Sequence, residues 1–556
     1  HADSDNPSTL HYYAAAILAF RLMALFLDGN YSVMWRHVSA PDVMRLARGV
    51  AFSSGIIILL SFFIAEEYGR LPRSVYVIDS LLVLIGLMGL RLQRRLRWER
   101  QHKNKVEMGQ RTLIYGSGYN GRTLANRYNY DAQQAIHVVG FIDDDLNKQG
   151  MSIAGVKVLG TGADLPLLIQ QLEVRQVILA ATTLPGEVIR RVVLQTRAFN
   201  IKPRIIAQSA DRNSGRGNND EKSFATDREI HLSDLLNRPA KGVDVTSLKQ
   251  LIHGKKVLVT GAGGSIGSEI SRQVFEHQPS RLILLANYEY NLDEIDHELR
   301  LSTADTTQVV PLLVDIKERD TLLSSIKEFR PEIIFHAAAY KHVHLVESNP
   351  YSSLLNNVSG TMHLLEAAEE VGVETFVMIS TDKAVNPAGV MGATKRICEL
   401  MVTAMARKLN KRYCSVRFGN VLGSSGSLIP LLKKQISSGG PLTITHKDMT
   451  RYFMTIPEAV SLVLKAATIA RPGDINVLKM GEPVKILDIA TGLLALMGKT
   501  EVQVPIIFTG LRPGEKLYEE LYIRGDELKT EHPDILTLPD GDTDLDIVLS
   551  TPQKLF

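Results

Sequence analysis

The sequence has almost no cysteine, only Cys398 and Cys414 among 556 residues. Two thiols cannot build a disulfide framework or a thiolate metal site, and their scarcity fits catalytic domains in a reducing cytosol. No spacing resembles a zinc or EF-hand motif, so no metal is expected. A strong charge excess is also missing. The formal net charge is +3, which carries little information by itself. At 556 residues the chain is too long for one ordinary domain, and two to four are expected. It begins at His1 rather than Met, so preceding residues are expected.

The first hundred residues carry three apolar runs: 12–27 (YYAAAILAFRLMALFL), 50–65 (VAFSSGIIILLSFFIA) and 75–90 (VYVIDSLLVLIGLMGL). Each is a little shorter than the roughly 20 residues that cross a bilayer core. Arg21 interrupts the first and Asp79 the third. No polar face accompanies them, which favours spans over buried globular helices. The third run ends in RLQRRLRWERQHKNK, where Arg91, Arg94, Arg95, Arg97, Arg100, Lys103 and Lys105 stand against Glu99 alone. Such a cluster beside a span is retained on the cytoplasmic side. A nucleic-acid patch is the competing reading; the cluster's place next to a span disfavours it, and no nucleic-acid partner is expected. The pattern predicts three transmembrane helices, the lipid bilayer as a partner and a cytoplasmic remainder after residue 91. An earlier span, before His1, is left open.

From residue 111 the pattern becomes strand, glycine turn, helix. TLIYGSGYNGRTLANRY places Gly116, Gly118 and Gly121 in a G-x-G-x-x-G spacing, and HVVGFIDDD follows as a strand tipped with acids at 143–145. That combination predicts a first Rossmann-like domain, with or without a ligand. Residues 208–227 are polar and rich in Gly, Asn and Ser, as in a linker. A second turn, in KKVLVTGAGGSIGSEISRQVF, spaces Gly261, Gly264 and Gly267 three apart and places Ser265 and Ile266 at the helix start. Glycines there let a pyrophosphate approach backbone donors and a helix N-terminus. RLILL, VVPLLVDI, EIIFHAAA and TFVMIS alternate with helical stretches, which predicts a parallel, doubly wound sheet. Asp315 and Ile316 would then suit an adenine, and Ala337, Ala338 and Ala339 would admit the cofactor. Where an acid ordinarily holds the ribose, the strand ends in Ala286 and Asn287, so the choice between NAD and NADP stays open. The domain boundaries expected are 1–105 for membrane helices and basic collar, 106–207, a linker at 208–250, and a catalytic domain at 251–556.

Seven stretches in order, VLVTGAGGSIGSE, HAAAYKHV, NNVSGT, STDKAVNPAGVMGATKR, RFGNVLGSSGSLIP, TRYFMTIPEA and GLRPGEKLYEEL, carry a family resemblance. The chain resembles the membrane-bound UDP-N-acetylglucosamine 4,6-dehydratases of bacterial polysaccharide and glycan biosynthesis over essentially its whole length. The resemblance implies an α/β fold in which N-terminal transmembrane helices precede two Rossmann-like domains, the second of extended short-chain dehydrogenase type. It also implies a multi-pass protein of the bacterial inner membrane, a homo-oligomer, a UDP-sugar substrate and a tightly held NAD or NADP regenerated each turnover. Short-chain dehydrogenases ordinarily read Tyr-x-x-x-Lys on the active-site helix; here Met391 precedes Lys395, as is usual in this branch. Ala286, where the family tends to carry Asp, and His344, where Pro is common, are departures.

The implied reaction oxidises sugar C4, removes the acidified C5 proton while water leaves C6, and returns the hydride to C6. Asp382 is assigned as acid toward the C6 oxygen and Lys383 as base toward C5, both in their uncharged forms. Thr381 would bond the C4 oxygen and Lys395 the nicotinamide ribose. The absent tyrosine's role at C4 passes to Asp382, Lys383 or water. Lys341, Asn420, Arg451, Arg512 and Glu515 are implied substrate contacts, the arginines on the diphosphate. Lys516 and Glu515 fall near the uridine, and Cys398 is read as packing. A 4-epimerase would share fold and cofactor but would want Tyr at 391. A membrane-anchored dinucleotide sensor is the rival from another class.

Overall fold

A computed structural model describes residues 18–23, 26–27, 40–68, 74, 77–90, 93–94, 109–130, 136–180, 184–206, 227–231, 234, 245–301, 307–523 and 527–538. The chain divides into two compact units, His1–Ala181 and Thr182–Phe556.

In the first unit, helix α1 (Ala40–Tyr68) buries Leu46 and Val50 against Val83, Leu84, Leu87 and Met88 of the helical residues 77–90. Polar contacts lie among these helices. Ser80 Oγ donates to Ser54 Oγ at 2.7 Å, and the buried Arg21 guanidinium donates to Asp79. Among the described residues, no helix is long and apolar enough to cross a membrane. This overturns the expected transmembrane helices and the multi-pass inner-membrane location. The physical reason is interruption by polar and charged residues: Asp79 stands within the third run and pairs with the buried Arg21. Helix α1 carries Arg45 and Arg48 near its start, Ser53 and Ser54 within it, and Glu66 and Glu67 at its end. Half of the run 12–27 and most of the basic collar 91–105 lie outside the described residues.

The strands of this unit run β3-β4-β2-β1-β5, with β1 Gln110–Tyr115, β2 Ile136–Ile142, β3 Ser152–Ile153, β4 Val156–Gly160 and β5 Gln176–Leu179. Strand β1 is parallel to β2 and β5, and β2 to β4. The glycine turn between β1 and helix α2 (Tyr119–Tyr130) is tight: a Cβ at Gly121 would lie 1.9 Å from Gly116 O. The acid at the end of β2 folds onto this turn. Asp143 Oδ2 accepts from Ser117 N at 2.9 Å and Ser117 Oγ at 2.5 Å, with Lys148 Nζ 3.2 Å away. Burial pushes the Asp143 carboxyl up, but these bonds and the one from Asp145 N outweigh it and hold the group below the usual carboxylate range.

The second unit is built on a nine-stranded sheet of order β8-β7-β6-β9-β10-β11-β12-β14-β13. The ranges are β6 Lys256–Thr260, β7 Arg281–Ala286, β8 Gln308–Leu313, β9 Ile333–His336, β10 Thr375–Ile379, β11 Arg412–Arg417, β12 Ile475–Leu478, β13 Leu528–Lys529 and β14 Ile535–Leu538. All pairs from β8 across to β12 are parallel, and β14 closes antiparallel to β12 and β13. Central strands such as IIFH and TFVMI are apolar without alternation because both faces are covered. One face packs helix α3 (Ser265–Glu276) through Ile270, Val274 and Phe275; the other packs α4 (Gly360–Val371) and α5 (Val390–Leu409) through Leu364, Ala368, Met401 and Val402. The order reverses between β6 and β9, so the glycine turn after β6 and Ala337–Ala339 after β9 flank the switch point where such sheets bind ligands. A separate core, including Leu432, Phe453, Ile486 and Leu493, lies among the C-terminal segments.

One buried carboxylate ties this framework together. Glu399 of α5 accepts from Arg417 Nε at 2.6 Å and Arg417 Nη2 at 2.5 Å, from Ser380 Oγ at 2.6 Å and from Arg396 Nη1 at 3.0 Å. Burial pushes the carboxyl up, but Arg417, Ser380 and Arg396 hold it below the usual range. The folded group therefore ionises more readily than the unfolded one. Its stabilisation is complete above the unfolded carboxyl's range and is lost as pH falls through the folded one's. Glu399→Ala leaves Arg417 buried without its partner and should cost about 3–5 kcal/mol in chemical denaturation at neutral pH, the deficit shrinking in acid.

Candidate active site

The chain leaves β10 still paired to the next strand: Ser380 N donates to Val416 O at 2.7 Å and Asp382 N to Phe418 O at 3.2 Å. It then turns through a single 3₁₀ turn, Asp382–Ala384, capped by the Thr381 hydroxyl, which accepts from Lys383 N at 3.4 Å. This turn sets three side chains side by side at the carboxyl end of the sheet. Thr381 Oγ1 donates to Asp382 Oδ1 at 2.9 Å, and Lys383 Nζ donates to the same oxygen at 2.9 Å. Lys383 Nζ also reaches Asn420 Oδ1 at 3.4 Å and lies 3.9 Å from Glu519 Oε1. Asp382 is fully buried, and its Oδ2 has no hydrogen-bond partner among the described residues. Gly419 makes room for it, since a Cβ there would lie 3.0 Å from Asp382 Oδ2.

A cleft opens on this cluster, lined among others by Val343, Glu347, Lys383, Met391, Gly514 and Glu519. Met391 and Lys395 are both buried on α5, one turn apart. Burial pushes the Lys395 ammonium down, while Cys398 and Glu399 pull it back up. Cys398 is packed, its Sγ donating to Asn357 O at 3.1 Å. Asn357 belongs to a π-helical turn, Leu354–Ser359, a conformation that concentrates at functional sites. Its Oδ1 accepts from Tyr340 N at 2.8 Å and its Nδ2 donates to Thr394 Oγ1 at 3.1 Å.

The residues around the switch point fit a dinucleotide. Gly261 has φ +66°, and a Cβ there would lie 2.9 Å from Ala338 N; one at Gly267 would lie 2.0 Å from Gly261 O. Gly264 caps α3, leaving Ser265, Ile266 and Gly267 as its first turn. Toward the ribose side Ala286 is buried, and Asn287 Nδ2 lies 3.4 Å from Asp315 Oδ2, which also contacts Lys317 Nζ at 3.2 Å. Ile316 packs against Gly360. Lys341 reaches Ser425 O at 2.9 Å, and Ser425 N donates to Ser265 Oγ at 3.0 Å, tying that loop to the phosphate turn. Burial pushes the Lys341 ammonium down.

Arg451 is buried and occupied. It donates to Thr450 O, Leu517 O and Lys516 O at 2.7, 3.1 and 2.8 Å, and lies 3.7 Å from Glu519 Oε1. Arg512 and Glu515 share a turn, Arg512 N donating to Glu515 Oε2 at 3.3 Å, with Arg512 exposed. Lys516 Nζ donates to Val385 O at 2.9 Å, fastening that segment to the end of the Asp382–Ala384 turn. Three groups escaped sequence reasoning. Glu519 lies within a quoted motif, but no spacing distinguishes it from Glu520. Glu347 accepts from Val390 N at 2.5 Å at the start of α5. His336 is held between Thr260 Oγ1 at 2.7 Å and Thr361 Oγ1 at 2.9 Å.

Residues 257–540 match the family described as polysaccharide biosynthesis protein, half of the chain. The chain belongs to that family. Residues 27–207 match a CoA-binding domain. This family member is 38% identical over 518 residues to the probable polysaccharide biosynthesis protein EpsC of Bacillus subtilis, covering 93% of this chain and 85% of the relative. Shorter similarities are to proteins of two different activities. One is to a UDP-N-acetylglucosamine 4,6-dehydratase (inverting) of Campylobacter jejuni, 31% identical over 274 residues, 48% of this chain and 78% of that protein. The other is to a UDP-glucose 4-epimerase of Rickettsia bellii, 32% identical over 281 residues, 50% of this chain and 80% of that protein.

Burial, followed by the charge of Lys395, pushes the His336 imidazole down to about 3. It therefore stays neutral at physiological pH, and its ring NMR signals should not titrate between about pH 5 and 8. Because the unfolded ring takes up a proton below its ordinary value near 6.5 and the folded one does not, stability should decrease as pH drops from about 6.5 toward 3 and stay flat above 6.5.

Proposed function

We propose that this member of the polysaccharide biosynthesis family is a nucleotide-sugar 4,6-dehydratase acting on UDP-N-acetylglucosamine. The observation that carries the reading is the contact between Asp382 and Lys383 in a cleft walled by Met391. A hydride shuttle alone has no use for an adjacent carboxyl and amine, whereas water elimination needs an acid and a base close together. The bound nicotinamide dinucleotide would supply a reversible hydride acceptor. Gly261, Gly264, Ser265, Ile266 and Gly267 would hold its phosphates, Ala337, Ala338 and Ala339 would leave room for it, and Asn287, Asp315 and Ile316 would border its adenosine. Lys395 would hold its nicotinamide ribose.

Thr381 orients the sugar's C4 oxygen. Lys383 removes the C5 proton once C4 is a ketone, and Asp382 hands a proton to the departing C6 oxygen from its unpartnered Oδ2. Lys383 then returns its proton to C5 from the same face, so the configuration there is kept. Asn420 positions the Lys383 amine. Lys341, Arg512 and Glu515 border the substrate in this reading. Arg451, with its donors on backbone carbonyls, shapes the 516–517 segment as well as carrying charge toward the diphosphate.

Purified protein incubated with UDP-N-acetylglucosamine should release a product lighter by one water, detected by mass spectrometry. An isomer of equal mass would mean a 4-epimerase, and an unchanged sugar would leave a dinucleotide-binding module. The double variant Asp382→Asn with Lys383→Ala should keep its dinucleotide and lose elimination by about 10²–10⁴-fold. Full activity in that variant would remove the assignment.

A further inference from the structure

The dehydratase reading leaves one proton unaccounted for. Oxidising C4 frees the proton of its hydroxyl, and expelling water consumes one at C6. A tyrosine would take up the first, but position 391 holds a thioether that cannot. The charged groups lining the cleft are Glu347, Lys383, Lys516 and Glu519. Glu347 is engaged by Val390 N and Lys516 by Val385 O, and Lys383 is needed at C5. Glu519 remains. Its side chain is 2% exposed, its Oε1 lies 3.9 Å from Lys383 Nζ, and its Oε2 has no hydrogen-bond partner among the described residues. Arg451 pairs with Glu519 Oε1 at 3.7 Å, but its hydrogen bonds go to carbonyl oxygens and leave Glu519 Oε2 without a partner among the described residues.

Resting on the dehydratase reading, we propose that Glu519 takes the place of the absent tyrosine: it accepts the C4 hydroxyl proton and returns it to Asp382 through Lys383. The protons balance over one turnover. Glu519 begins as carboxylate, Lys383 as amine and Asp382 as acid. The O–H bond at C4 breaks and its proton passes to Glu519. Lys383 takes the C5 proton, Asp382 gives its proton to the leaving C6 oxygen, and Lys383 restores its proton to C5. Glu519 then protonates the Lys383 amine, which passes a proton to the Asp382 carboxylate at 2.9 Å, and the starting states return. Burial pushes the Glu519 carboxyl above the ordinary range, which brings it closer to an accepting and donating role near neutrality. Of the charges facing it, Lys383 pulls it down, Asp382 pushes it up, and Arg451 and Lys516 pull it down; Glu347 lines the same cleft.

The test is water elimination from UDP-N-acetylglucosamine by the full chain with its bound dinucleotide. Glu519→Gln should lose about 100-fold or more in turnover and lose the acid limb of the pH profile, while melting temperature and retained dinucleotide hold. Glu519→Asp, which keeps a carboxylate, should retain more activity than Gln. In Glu519→Ala, added formate should restore turnover, an effect that a merely structural role would not produce. Turnover by Glu519→Gln equal to the parent's, with the acid limb intact, overturns the relay and leaves the dehydratase reading standing. So does an Ala variant that folds but ignores formate. A parent protein that releases no water overturns both.

Discussion

The arrangement of the second unit depends on one buried carboxylate. Glu399 ties the end of strand β10 at Ser380, the end of β11 at Arg417 and the helix that carries Met391 and Lys395. A buried ion pair contributes little net stability once desolvation is counted, and its usual value is in specifying one arrangement. Here four hydrogen bonds satisfy both carboxylate oxygens, so the strand ends and helix cannot slide without leaving charge unpaired. The Asp382–Ala384 turn starts directly beyond that fixed point, which is why a two-residue couple on a turn can be held rigidly.

Two electrostatic settings follow. At the ends of β6 and β9, His336 is kept neutral between two threonine hydroxyls, and burial pushes Lys395 on α5 down. On the cleft side, Asp382, Lys383 and Glu519 lie together, with two carboxylate oxygens left without partners among the described residues. Buried polar atoms are normally satisfied, so such exceptions concentrate where chemistry uses them. The proposed elimination draws on that second group, and the methionine at 391 is compatible with it because the cleft holds other groups able to carry protons.

The two glycine turns show how little a motif settles alone. In the second unit the turn packs closely against Ala337 and Ala338, and its flanking loop is joined through Ser265 and Ser425. In the first unit the same kind of turn is occupied from within: Ser117 gives its backbone N–H and hydroxyl to Asp143, the acid that sequence spacing would place on a ribose. The spacing is alike, but the donors have different destinations, and fold does not carry function with it.

Much was legible in order along the chain. The apolar runs of β6, β7, β9 and β10 mark a parallel sheet because both its faces are covered, and Gly261, Gly264 and Gly267 mark the tight turn because only a missing Cβ fits there. Thr381, Asp382 and Lys383 could be placed at a strand end because they directly follow one. The apolar segments near the start misled, since hydropathy reports greasiness and not whether a helix is long enough or what it packs on. Glu519, Glu399 and His336 were invisible for a related reason. Burial and the distance from Glu519 to Lys383 arise only when segments far apart in sequence cross, and a carboxylate's role depends on what the folded chain brings beside it and how completely it excludes water.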